Sequence, residues 1–253
     1  MSAPLAIDPP ALLAISHGTS STIGQRAVAA LVDAVAIGCP VTALPGHVDV
    51  QQPDVPTVLS SLPRGRAAVI VPLLLSAGFH VHVDLVNDAS VDDRIVTVAR
   101  ALGPDDRLVR VLARRLGQAG LLPDDAVVLG CAGSSDSRAV DDCFEMARRL
   151  GVVLHRPVTV GFISASAPAL PSAIAEARRL NPGRRVVVST YLLAPGYFND
   201  LAHAMDADLA TDPLLVQDAA APPEIVSIVL DRYAESAAET AARQRPHTRL
   251  VAS

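Results

Sequence analysis

The chain contains no lysine: all 21 of its basic residues are arginine. Schiff-base catalysis and the phosphate-gripping lysine of a P-loop are thereby excluded. Tryptophan is also missing and only 3% of residues are aromatic, although half are hydrophobic, so the core must be built from Ala, Val, Leu and Ile. Such a composition favours layered helices and sheets. The three cysteines, Cys39, Cys131 and Cys143, have no CxxC spacing, which argues against a zinc knuckle or a disulfide framework and fits a reducing compartment. There is no basic run or Arg patch interleaved with aromatics, and the net charge is -5, so nucleic acid is not expected as a partner. The opening "MSAPLAIDPPALLAIS" has no positive n-region, and acid and proline break its apolar run short of a membrane span. A soluble, cytoplasmic protein is expected.

What the 253 residues do contain is a pattern that runs twice. "ALLAIS" leads into His17-Gly18-Thr19-Ser20-Ser21 and an Ala/Val-rich helical stretch to about residue 37, which reads as strand, tight turn and helix. "VTALPGHVDV" follows as a strand and "PDVPTVLSSL" as a helix started at proline. "AAVIVPLLLS" has the continuous apolar run of a parallel strand buried on both faces, and "RLVRVLARRL" closes the half. "DAVVLGCAGSSDS", "VTVGFISASAPALPSAIAEARRL" and "RRVVVSTYLLAPGYFNDLA" then repeat the same order. His17 to Ala132, Asp49 to Ser164 and Pro53 to Pro168 are each 115 residues apart, and His80 to Phe198 is 118. Duplication explains these offsets. The expected fold is α/β: two tandem domains, residues 1–119 and 120–253, each a parallel sheet flanked by helices, with a cleft between them. The boundary falls in "GQAGLLPDD", residues 117–125.

Parallel sheets of this kind bind ligands beyond the carboxyl ends of their strands. His17, Asp49 and His80 each follow or end an inferred strand, so three distant side chains can converge on one rim. Two imidazoles and a carboxylate suit a divalent transition metal with open positions, and the same imidazoles can accept protons near neutral pH. Taken singly, each histidine reads more readily as an ordinary hydrogen-bonding residue than as a ligand, and Asp49 can be read as a turn cap. The coincidence of the three carries the reading. His82 alternates away from His80, and Asp84 is either an acceptor for an imidazole N–H or a surface acid. His47 shares a strand face with Asp49 and is read as site neighbour or structural residue. His155, His203 and His247 read as surface or helix-end groups. The turn Gly18-Thr19-Ser20-Ser21 offers backbone N–H and hydroxyl groups to a substrate carboxylate, or simply caps the helix. The tail "ARQRPHTRLVAS" reads as a polar, frayed end.

His17-Gly18-Thr19 after the first strand, Asp49 four residues before Pro53 in "DVQQP", and "PLLLSAGFHVHVD" together resemble the class II chelatases. The sirohydrochlorin chelatase group, with the small cobaltochelatases, is the most similar, and the likeness spans essentially the whole chain. It implies a lyase that inserts Fe2+ or Co2+ into sirohydrochlorin without an organic cofactor. His17 and His80 match the family histidines that bind metal and assist pyrrole deprotonation, and Asp49 stands where the family has Glu. In the second half the matching positions are Ala132, Ser164 and Phe198, so that half is expected to complete the cleft without catalysing. Gly18, Thr19, Ser20, Ser21, Gly78, Tyr197 and Phe198 are the candidate contacts to the macrocycle. Iron for sirohaem is the favoured metal. Cobalt for cobalamin, a ferrochelatase acting on another porphyrin, and a non-catalytic metal or tetrapyrrole carrier are the alternatives. Because duplication supplies both walls of the cleft, a monomer is expected.

Overall fold

A computed structural model of the chain describes residues 8–76 and 94–244. Strand β1 (Ala11–Ser16) is buried along its whole length, as a central parallel strand must be. It pairs on one side with β2 (Ala43–His47) and on the other with β3 (Ala68–Pro72), and β4 (Val96–Val98) adds the fourth parallel strand, giving the order β2-β1-β3-β4. The second half repeats it with β5 (Ala126–Cys131), β6 (Val158–Phe162), β7 (Val186–Tyr191) and β8 (Leu209–Ala210) in the order β6-β5-β7-β8. β4 and β8, three and two residues long, are too short to show a period in the sequence.

The helices start where the sequence supplies caps. Helix α1 (Thr22–Gly38) begins at Ser21, whose side chain accepts from the Gly24 N–H, and α2 (Val55–Ser61) begins at Asp54, which accepts from Thr57. Helix α3 (Asp106–Gln118) is capped by Asp105 and α4 (Ser137–Leu154) by Asp136. Helix α4 ends at His155 in the left-handed conformation, so this histidine is a helix terminus, as expected. Helix α5 (Leu170–Leu180) has Pro171 in its first turn. Helices α6 (Tyr197–His203) and α7 (Pro223–Gln244) complete the set, and Ala242 to Gln244 of the expected tail belong to α7. No helix among the described residues is long and apolar enough to cross a membrane.

Both sheets turn one face to a shared core filled by α1, α3, α4 and α7. The outer faces are covered separately, by α2 on the first sheet and α5 on the second. The two long helices that close the halves in sequence have changed places. Helix α3 packs on α4 and β7, whereas α7, at the other end of the chain, packs on α1, β3 and β4. The exchange is fixed by polar bonds as well as by area. The Arg232 guanidinium, 1% exposed, donates from α7 to the carbonyls of Ala101 and Leu102 at 3.0 and 3.1 Å. Asp105 accepts from it at 3.4 Å, the Tyr233 hydroxyl donates to Pro10 O at 2.7 Å, and Arg107 bonds Ser227 and Asp231.

Candidate functional site

Beyond the carboxyl ends of β1 and β2 the two segments that follow stay in register. Val48 N–H donates to Ser16 O and Asp49 N–H to His17 O, each at 2.9 Å, which brings the backbones of His17 and Asp49 side by side. Gly18, at φ +95°, lies flat against the Asp49 carbonyl. The second half reproduces the frame 115 residues later. Ile163 and Ser164 donate to Cys131 O and Ala132 O at 2.9 Å, and Gly133 takes φ +99° against the Ser164 carbonyl. Even the bracing bond is copied: Thr19 N–H donates to Gln51 Oε1, and Ser134 N–H to Ser166 Oγ, both at 2.9 Å. The backbone is conserved between the halves, while His17 and Asp49 are matched by Ala132 and Ser164.

A cleft of about 670 Å³ opens where the two rims face each other, within the roughly 300–1,000 Å³ usual for small-molecule and cofactor sites. From the first half it is walled by His17 to Ser20, Val50, Gln51 and the segment Leu73 to Ser76; from the second by Ala132 to Ser135, Phe162, Tyr191 and the segment Leu192 to Asn199. The segments interlock. Pro195 and Gly196 press on Gly24, Thr19 and Ser21, and the Tyr191 hydroxyl reaches the Leu75 carbonyl at 3.4 Å. The polar groups lining the cleft are hydroxyls, amides, the His17 imidazole and the thiols of Cys131 and Cys143, with no arginine among the described lining residues.

Of the residues singled out in the sequence, His17, Gly18, Thr19, Ser20, Tyr197 and Phe198 line this cleft. Tyr197 and Phe198 are 71% and 38% exposed, with ring centroids 5.8 Å apart, so the pair forms an aromatic edge at the mouth. Ser21 is used as the N-cap of α1. Thr19 is tied internally, its hydroxyl accepting from Ser21 N–H and its carbonyl from Gln25. Asp49 is exposed beside the His17 backbone, and its carboxylate accepts from the Val50 N–H at 2.7 Å. Gly78, His80, His82, Asp84 and His247 lie outside the described residues. Among the described residues no group of three or more His, Cys, Asp or Glu could hold a metal. His203 closes α6, bonded to Asn199 O at 2.9 Å.

His47 does not line the cleft. In the strand register it stands opposite Ser16, and its Nδ1 shares a 2.8 Å hydrogen bond with the Ser16 hydroxyl, which does face the cleft. Partial burial pushes the His47 pKa down, favouring the neutral ring. The corresponding pair in the second half is Phe162 beside Cys131, joined in the same register.

Residues 11–119 and 126–236 each match the model of the CbiX family. No curated protein matches the sequence significantly. Among solved structures, SirB from Bacillus subtilis with Fe3+ aligns with a TM-score of 0.74 at 21% identity, over 93% of this chain and 98% of that one. The sirohydrochlorin chelatase SirB from Bacillus subtilis subspecies spizizenii in complex with cobalt aligns with a TM-score of 0.70 at 18% identity, over the same shares of the two chains. CbiX, the terminal enzyme for biosynthesis of siroheme in denitrifying bacteria, aligns at 0.60 and 20% identity, over 89% of this chain and 98% of that one. At these identities the likeness shows the fold: two parallel sheets with flanking helices, built as tandem repeats.

Proposed function

Because the chain belongs to the CbiX family, we propose that it is a sirohydrochlorin chelatase, a lyase that takes Fe2+ as its metal substrate and inserts it into the macrocycle. The observation that carries this reading is the one-sided rim. Both halves hold the same hydrogen-bonded backbone frame, and only the first places an imidazole, His17, on the cleft wall with a carboxylate, Asp49, on the adjacent segment after β2.

Insertion requires two events: the cation sheds its other ligands, and two pyrrole N–H protons leave. His17 is suited to both, as a neutral ligand for a borderline cation and as a proton acceptor. Asp49 adds a hard oxygen ligand one methylene shorter than Glu, and His80 is the third expected ligand. The second half supplies the opposite wall. Phe162, Tyr191, Leu192, Leu193 and the Tyr197–Phe198 edge offer apolar surface to the macrocycle faces, while Ser20, Ser134 and Ser135 offer hydroxyl donors to its carboxylates. Cobalt, similar in ligand preference, is the alternative metal for the same site.

The deciding experiment is anaerobic metallation of sirohydrochlorin followed by its absorbance change, with Fe2+ and Co2+ in turn. The expected result is protein-dependent insertion that is lost in His17→Ala, reduced in Asp49→Asn and retained in Asp49→Glu. A rate no greater than the protein-free background with either metal overturns the reading in favour of a carrier or another tetrapyrrole.

A further inference from the structure

Cys131, the last residue of β5, and Cys143, in α4, are free thiols, 1% and 6% exposed, and both form part of the cleft floor. Both belong to one buried cluster beneath the cleft, and Tyr191, paired with Cys131 in the sheet, lines the same floor. The residues 115 positions earlier are Ser16 and Val28, which line the same cleft from the other half. The duplicated frame thus carries two unlike sets of side chains: the His17 imidazole on one wall, with Asp49 on the segment beside it, and a pair of soft thiols on the other.

We propose that Cys131 and Cys143 form a second cation site, at the floor of the cleft, that takes a soft divalent d10 ion as a bis-thiolate. Thiolates select soft cations, whereas Fe2+ and Co2+ are well served by the nitrogen and oxygen donors opposite. On binding, each S–H bond breaks and releases its proton to solvent, two S–metal bonds form, and no electrons are transferred. Two thiolates cancel the charge of a divalent ion, so the bound form is neutral. That suits its surroundings: in α4, burial together with Asp141 and Asp136 pushes the Asp142 carboxyl above its ordinary pKa, so extra negative charge there is unfavourable. Burial also raises the Cys131 thiol well above its usual range, which keeps it protonated and slow to oxidise until a cation displaces the proton. Because the pair underlies the space a macrocycle would occupy, an ion bound there obstructs it. This last consequence rests on the chelatase reading; the site itself does not.

The test is an anaerobic titration with Cd2+, read as thiolate-to-cadmium absorbance, on the full chain and on Cys131→Ser, Cys143→Val and Cys39→Ser. The first two substitutions install the residues the other half already uses at these positions, which the frame accommodates, and Cys39 lies at the far end of α1. One Cd2+ per chain is expected, with the band lost in Cys131→Ser and in Cys143→Val and kept in Cys39→Ser. A band unchanged in both cleft variants, lost in Cys39→Ser, or absent from the parent chain overturns the site. Sirohydrochlorin binding, followed by fluorescence, is expected to weaken on adding Cd2+ to the parent chain and to be unaffected in Cys143→Val. If sirohydrochlorin does not bind even without Cd2+, the chelatase reading fails while the cadmium band still decides the thiol site.

Discussion

Gly18 and the carbonyl of Asp49 are so close that a Cβ on Gly18 would stand 1.9 Å from that oxygen. Gly133 and Ser164 show the same relationship at 1.8 Å. Both glycines also have positive φ, so a side chain there is strained twice over. Gly18→Ala and Gly133→Ala are each expected to cost about 2 kcal/mol or more in unfolding free energy, measured as a shift of the urea midpoint. Only Gly18→Ala is expected to weaken metal-dependent activity further, because it parts Asp49 from His17.

The buried guanidinium of Arg232 should weigh far more than the surface ion pairs. Removing it in Arg232→Met leaves the carbonyls of Ala101 and Leu102 without their donor and takes one cation from Asp105, at an expected cost of about 2–4 kcal/mol by denaturant titration. Arg148, exposed on α4 and paired with Glu145, gives the contrast: Arg148→Ala should leave the midpoint unchanged.

Because α3 and α7 are exchanged, each half is missing a helix of its own. Residues 1–119 made alone would expose the face of β3 and β4 that α7 covers in the intact chain. Neither this fragment nor residues 120–253 is expected to melt cooperatively by itself. Co-expressed, the two should elute as one complex with a cooperative melt. A folded, monomeric fragment would show that the exchange contributes little.

Acid stability should depend on Asp125. Its carboxylate accepts from Arg185 at 2.6 and 2.9 Å and from the Leu122 N–H at 2.7 Å, and the Arg185 hydrogen bond leads in holding its pKa below the ordinary 3.8. A carboxyl depressed on folding stabilises the native state above its unfolded value, and the contribution is lost as pH falls through the lower folded value. The stabilisation is therefore complete above about pH 4. In Asp125→Asn, the part of the stability loss that sets in below that pH is expected to be absent, as seen by comparing denaturant midpoints across the acid range.

The strand–turn–helix openings were legible in the sequence because "ALLAIS" and "AVVLGC" have the unbroken apolar run of a central parallel strand and are followed by Gly and capping residues. The 115-residue offset carried further than the separate elements, down to matched hydrogen bonds at Thr19 and Ser134. The exchange of α3 and α7 was not legible. The apolar stripe of "RLVRVLARRL" states that Leu108, Val111 and Leu112 must be covered, and says nothing of which sheet covers them. His47, which shares a strand face with Asp49, reads in the sequence as either a site neighbour or a structural residue. Its partner Ser16 becomes visible only once the β1–β2 register is known, since that pairing is set by the sheet and not by either residue. The thiol pair was hidden for the same reason: Cys143 comes twelve positions after Cys131, and only the packing of α4 against the second sheet brings both into one core.

The exchanged helices also determine how the cleft can move. An enzyme whose two domains meet at a thin seam opens by hinging, and its linker sets the amplitude. Here the chain crosses twice into a common core, with Arg232 bonded into one crossing and Leu108 to Leu116 buried in the other. Rotating one half against the other would tear that core open. On the chelatase reading proposed above, a flat, rigid guest therefore meets walls held at a fixed separation, and the gap would act as a gauge for the thickness of what it admits.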